Sequence, residues 1–281
     1  MLTAVGLVAV KTPVSAASPP PLDASYYVLS ITNSTAATLG CNQGRADAAN
    51  GNINSEVILD FGGQSSSNTG TLLTFTNAFA SYAAIESYAE TFAYNYWACT
   101  GTDIASRLIL GLGTNNSAYN VSSTGGTSWA AVVNTVINYM KNYGQVTVWG
   151  ANDMELNYHS YSGTADWESG YAANTVALYV DYGDAAGCPP YGACNNGWTQ
   201  HDVYLVAWGD ASAEAAPEIY YTTQAQEWIS IVNAQGYIQF QGPLDEYDLQ
   251  TSSLTPAGAW TALGCGSTES CRYSMQIQKA S

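Results

Sequence analysis

Positive charge is nearly absent from this chain: six lysines and arginines stand against 22 aspartates and glutamates in 281 residues, a net charge of −16. So few bases leave a surface that repels phosphate backbones and anionic lipid, which argues against nucleic acid or a membrane surface as partner. Charge of either sign is scarce, at 10% of residues against roughly 25% in an average soluble protein. Solubility must rest on Asn, Ser, Thr, Gln and Tyr, and neutral ligands suit such a surface. Signature motifs are missing too. There is no G-x-G-x-x-G after the first strand, no Walker sequence, no G-x-S-x-G elbow and no H-E-x-x-H. Dinucleotide, nucleotide-triphosphate, serine-hydrolase and zinc-protease chemistries lack support, and neither a cofactor nor a catalytic metal is expected, with a structural calcium at Asp181/Asp184 or Asn152/Asp153 left open.

What is there points to an exported domain with a full core. Hydrophobic residues make up 47%, which excludes disorder for most of the chain. Leu2–Val10 is apolar but far shorter than the roughly 20 residues a bilayer needs. Val14-Ser15-Ala16 resembles a small-residue cleavage site, and Pro19-Pro20-Pro21 a stiff spacer. Residues 1–23 therefore read as signal peptide and spacer, and 24–281 as one domain, expected to be monomeric. The six cysteines agree with an oxidising compartment. Two close pairs, CPPYGAC and CGSTESC, predict Cys188–Cys194 and Cys265–Cys271, leaving Cys41–Cys99 by remainder. A zinc site would need closer C-x₂-C spacing or histidine partners.

Apolar, β-branched runs recur at Val57–Phe61, Arg107–Leu112, Val146–Trp149, Val176–Tyr182, Val203–Trp208, Glu218–Tyr221, Tyr237–Phe240 and Tyr273–Gln278. Helical spacing fills several of the gaps, over Thr71–Tyr96, Trp129–Tyr143, Thr222–Ala234 and Pro256–Leu263. Strand–helix alternation implies parallel strands with right-handed crossovers. Eight strand candidates at this length predict an α/β fold, a (β/α)8 TIM-type barrel. It is irregular where CPPYGACNNGWTQ replaces a helix. Tyr26–Ile31 reads as an extra N-terminal strand outside the barrel or across its bottom.

In such a barrel the chemistry sits where strands end. Asp60, Asp153, Glu155 and Asp181 are the candidate catalytic acids at those ends. Trp149, Tyr158, Tyr182, Trp208, Gln239 and Gln241 would line a cleft, because aromatic faces stack on sugar rings and amides bind hydroxyls. Asp153 and Glu155 form the sharpest pair. At i and i+2 on an extended segment both side chains leave one face. Two carboxylates that close raise each other's pKa, so one can hold a proton as general acid. Glu86, Glu90, Asp166, Glu168 and Glu227 fall in helical patterns and read as surface charges.

An Asp at the end of the first strand, Asp60, the D-x-E of Asp153–Glu155, and Pro217-Glu218-Ile219-Tyr220-Tyr221 followed by Trp228 resemble glycoside-hydrolase barrels of the GH25 lysozyme and DUF1906 type. The resemblance implies a hydrolase with Glu155 as general acid and Asp153 and Asp60 as supporting carboxylates. It departs in lacking the first-strand G-x-D-V-S form, and the acid pair falls on strand three. The leading expectation is a secreted glycoside hydrolase acting on a neutral polysaccharide or cell-wall glycan. Two alternatives stay open: a non-catalytic carbohydrate-binding or wall-associated barrel, and a structural or assembly protein of the cell surface.

Overall fold

The structure, a computed structural model, describes residues 17–51, 54–117 and 119–281. Residues 1–16, with the apolar leader and the cleavage-like Val14-Ser15-Ala16, lie outside the described residues. Leu22 and Asp23, expected to end the spacer, already belong to the first strand.

Strands and helices alternate through the chain. The order is β1 (Leu22–Val28), α1 (Asn33–Asn50), β2 (Asn54–Gln64), a hairpin of β3 (Gly70–Leu72) and β4 (Phe79–Ser81), and α2 (Tyr82–Cys99). Then come β5 (Arg107–Asn115), α3 (Ser123–Met140), β6 (Val146–Asp153), α4 (Tyr161–Ala172), β7 (Tyr179–Asp181) and α5 (Gln200–Tyr204). The last part holds β8 (Ala213–Ala215), α6 (Thr222–Gln235), β9 (Leu244–Asp245), α7 (Pro256–Ala262) and β10 (Ser274–Ala280).

Apart from the hairpin, all strands pair in parallel, in the order β8-β7-β6-β5-β2-β1-β10-β9. The two ends of this path meet. Ala215 bridges Phe240 and Glu218 bridges Leu244, with Gln241 N donating to Ala215 O (2.7 Å) and Ile219 N to Leu244 O (2.9 Å). The sheet thus curls into a TIM-like barrel with the helices outside. Side-chain alternation sorts each strand between two apolar layers. In β2, Val57, Leu59 and Phe61 join the shell under the helices, while Ile58 faces the lumen with Tyr27, Ala151, Val180, Tyr182 and Met275. Glu56 and Asp60, two residues either side of Ile58, face the lumen as well.

The N-terminal strand is a barrel member, which corrects its expected place outside. β1 lies between β10 and β2, in register from Leu22 opposite Ser274 to Val28 opposite Ala280. Its alternation explains this: Tyr26 and Val28 pack into the shell, and Tyr27 into the lumen. Asp153 and Glu155 consequently end the fourth barrel strand, not the third.

Val203–Trp208 is helical rather than extended. Thr199 starts the helix with reciprocal bonds, its Oγ1 accepting from Asp202 N (3.2 Å) while its N donates to Asp202 Oδ2 (2.9 Å). Val203, Val206 and Ala207 are the buried positions, a spacing of three and four that suits a helix face. The helical pattern expected from Thr71 begins only at Tyr82, where Ser81 Oγ caps Ala84 N (3.3 Å). Before it, β3 and β4 fold back on the end of β2. Gly62 makes that possible: its φ is +71°, and a Cβ there would lie 2.1 Å from Leu72 O.

All three disulfides form as the spacing predicted, Cys41–Cys99, Cys188–Cys194 and Cys265–Cys271. The first ties α1 to the last residue of α2. No helix among the described residues is long and apolar enough to cross a membrane.

Candidate active site

β6 delivers the acids. Ala151 faces the lumen, so Asp153 does too, at the strand's last residue. The turn that follows is held from outside the lumen. Asn116 Oδ1 accepts from Glu155 N (3.0 Å) and its Nδ2 donates to Glu155 O (3.1 Å). Asp181 Oδ1 accepts from Gly183 N (3.0 Å) and Met154 N (3.4 Å). With the backbone fixed on both sides of Met154, Asp153 and Glu155 point the same way, as their spacing required.

A third carboxylate meets them. Glu218 follows β8 and is placed by its bridge to Leu244 and by its N, which donates to Gly183 O (3.2 Å). One oxygen from each of Asp153, Glu155 and Glu218 lies within 4.8 Å of the other two. Asp153 is 6% and Glu218 3% exposed, whereas Glu155 is half-buried. Asp153 Oδ1 and Glu218 Oε1 have no hydrogen-bond partner.

No family model matches this chain, and no curated protein does either. The site's chemistry has to be read from its own geometry. Burial pushes Asp153 well above the usual carboxylate range, with the charges of Glu218 and Glu155 adding to it. Burial does the same to Glu218, helped by Glu155 and Glu246. Glu155 is pushed up to about 7 by burial and the charge of Asp184, against the Tyr158 hydroxyl, which opposes the shift. No lysine or arginine is among the groups that shift these acids most. Three ionised carboxylates this close are not sustainable in a buried site. The cluster either retains protons near neutrality or shares a cation, and its hard oxygens fit a divalent ion.

The surrounding mouth is built of acids and tyrosines. Asp60 is fully buried and fully engaged, accepting from Gly62 N, Thr74 Oγ1 (3.1 Å) and Tyr182 Oη (3.1 Å). Burial raises it to about 6 against those bonds. It anchors the β3–β4 hairpin rather than joining the three. Tyr182 is buried in the lumen and also donates to Thr114 O (3.0 Å). Tyr27 donates to Glu246 Oε1, and the charges of Glu218, Glu246, Asp153 and Asp60 all act on its hydroxyl. Tyr158 lies at the mouth, 43% exposed.

Other candidates sit elsewhere. Asp181 faces the helix layer, since Val180 and Tyr182 on either side face the lumen; it positions the turn and stands outside the cluster. Trp149 shares the lumen face of β6 but lies four residues before Asp153, about 13 Å back along the strand. There it lines a cavity of about 370 Å³ with Lys141 and Val176. Trp208 ends the helical turn before β8 and meets Tyr237 edge-on (6.2 Å), at the opposite end of the barrel from the acids. Gln239 accepts from Arg272 Nε (2.8 Å) and Nη2 (2.9 Å) with its oxygen turned to the guanidinium. Gln241 is buried and donates to Glu214 Oε2 (2.6 Å). Both glutamines precede β9, whose end carries Asp245 and Glu246 to the mouth. Glu168, read as a surface charge, is buried in α4 and pushed up to about 8 by that burial.

Glu218 is the member of the cluster that residue spacing does not single out. Its signal was present: an acid one position before the apolar Ile219 in a strand-like run.

Proposed function

We propose that this chain is a secreted glycoside hydrolase that cleaves a neutral polysaccharide or cell-wall glycan by acid–base catalysis at the barrel mouth. One observation carries the reading: three carboxylates within 4.8 Å of one another at the strand ends, the most accessible of them pushed to about 7. Below that pH, Glu155 holds a proton it can deliver to a glycosidic oxygen. Asp153 and Glu218, more buried and also pushed up by that burial, stand beside the carboxylate that Glu155 becomes, and water adding to the anomeric carbon returns its proton to that carboxylate. Asp60, at about 6, is ionised at neutral pH. Its charge favours the oxocarbenium-like transition state of glycoside cleavage. Asp181 contributes by holding Met154, between the two acids of the pair. The three disulfides are compatible with an extracellular site of action.

Glu155→Gln tests the assignment, because the amide keeps shape and hydrogen bonding but cannot donate a carboxylic proton. Turnover of soluble neutral polysaccharides should fall at least about 10²-fold, the scale of general-acid contributions, with thermal unfolding unchanged. An unaltered rate removes Glu155 from the mechanism. Oligosaccharide binding without cleavage by the wild type would replace this reading with that of a sugar-binding barrel.

The same oxygens favour a second reading, a divalent-cation site, because three hard ligands converge there without a neutralising base. Calorimetric titration with Ca²⁺ and Mg²⁺ at pH 7 separates the two. Tight binding that Glu218→Gln abolishes supports the cation, and an inert titration supports proton chemistry.

A further inference from the structure

Beside the acid cluster, a cavity of about 390 Å³ opens between the β3–β4 hairpin and the loop after β5. That volume falls within the roughly 300–1,000 Å³ of small-ligand sites. Tyr158, whose hydroxyl acts on Glu155, forms part of its wall. Asn115 forms another part. It pairs in register with Asp153 across β5 and β6, so its side chain leaves the sheet on the acid's own face.

The lining chemistry is uniform. Phe75, Tyr119 and Tyr158 present aromatic surface and are 56%, 75% and 43% exposed. Asn77, Asn115 and Ser117 add amide and hydroxyl groups, and no acid or base lines the cavity. Aromatic faces next to neutral hydrogen-bonding groups match a pyranose ring, apolar on its C–H face and hydroxylated at its edge. Lys279 stands over the Phe75 ring and is not part of the lining, so an anionic sugar would face a wall without charged groups and the net −16 of the chain.

The wall is fixed in advance. Thr74 Oγ1 bonds Asp60 (3.1 Å) and Thr76 Oγ1 bonds Leu29 O (3.3 Å). Between them the Phe75 ring meets Tyr27 edge-on at 5.1 Å, with Lys279 Nζ 4.0 Å from its centroid. Phe75 has a φ of +68°, a conformation that a non-glycine residue keeps only where its surroundings hold it. The three anchors do so, and they set the hairpin tip over the mouth.

We propose that this cavity is the subsite for one uncharged pyranose unit adjoining the bond that the acid cluster cleaves. Tyr119 and Tyr158 serve as ring platforms, and Asn77 and Asn115 bind hydroxyls. The proposal deepens the glycoside-hydrolase reading and takes its substrate class from it. The test uses the full chain carrying Glu155→Gln, titrated by calorimetry with cellotetraose, chitotetraose and the anionic tetragalacturonate. At least one neutral tetrasaccharide should bind and tetragalacturonate should not. Adding Tyr119→Ala should weaken that binding about fivefold to tenfold, the scale of one lost aromatic contact. Asn115→Ala should weaken it comparably, while Tyr191→Ala, at an exposed tyrosine outside this cavity's lining, should leave it unchanged. Tyr119 is 75% exposed, so its removal opens no cavity in the core, and unchanged thermal unfolding checks the fold. Equal affinity in all variants, preference for tetragalacturonate, or no binding of either neutral probe overturns the subsite. Failure of the parent reading looks different: the wild type cleaves no glycan, yet Tyr119→Ala still weakens binding.

Discussion

Raising the pH should destabilise this protein, and Asp181 shows by how much. Its carboxyl is 1% exposed and pushed from 3.8 to about 7, chiefly by burial, against the bonds from Gly183 N and Met154 N. Asp23, at about 7, Glu168, at about 8, and Glu56, well above its usual range, share the direction and the cause. A folded-state pKa above the unfolded one means that the folded chain holds the proton longer. The stabilisation is fully present below about pH 4 and is lost as pH rises through the folded values. Each pH unit between the two values costs about 1.4 kcal/mol per group, so Asp181 alone accounts for something on the order of 4 kcal/mol. That is a large share of a typical stability of roughly 5–15 kcal/mol. Asp181→Asn keeps an oxygen for both backbone donors and removes the titration. Urea unfolding at pH 5 and pH 8 should show the wild type losing roughly 3 kcal/mol more than the variant. Parallel losses, or a wild type more stable at pH 8 than at pH 5, would refute the reasoning.

Hydrolysis should decline as pH rises through about 7, because the proposed mechanism uses the acid form of Glu155; a rate that climbs through that range contradicts that role. Replacing Cys41 and Cys99 together by Ala should cost about 4 kcal/mol, the loop-closure entropy of a 58-residue separation. Scanning calorimetry should register that as a fall in Tm of about 10 °C, and an unmoved Tm would show that helix packing alone fixes α1 on α2.

The legible parts of the sequence were those governed by local rules. Asp153 and Glu155 share a face because extended backbone has a period of two, and the Asn116 and Asp181 contacts only fix what that period dictates. Cys188–Cys194 and Cys265–Cys271 were legible from short loops. The parts that are not legible are apolar runs whose backbone is set by their surroundings. Val203–Trp208 is as apolar as a strand but carries its buried residues three and four apart, behind a Thr199–Asp202 cap. Tyr237–Phe240 reads as a complete strand, whereas the chain runs on to Leu244, which moves Gln239 and Gln241 away from the mouth and brings Glu246 to it. Glu218 depends on closure of the barrel, a contact between distant segments with no local signature. Burial of Glu168 likewise depends on which face of α4 meets β7.

The ladders around the barrel are unequal. β2 and β5 share long registers, as do β1 and β10, whereas β7 and β8 have three residues each and β9 two. Between β8 and β9 the ring is joined by single bridges at Ala215–Phe240 and Glu218–Leu244. Amide hydrogens follow local opening, and short ladders open at lower free energy than long ones. Exchange should therefore be fastest around Ala215–Ile219 and Gln241–Leu244, and slowest in β2 and β5. Glu218 stands on that seam, while Asp153 and Glu155 stand on the well-paired β6 side. Parting of the seam would carry Glu218 from its two partners and let both buried carboxyls take up water while the rest of the barrel stays folded. Proton traffic in the cluster is in this way tied to the breathing of one short stretch of backbone.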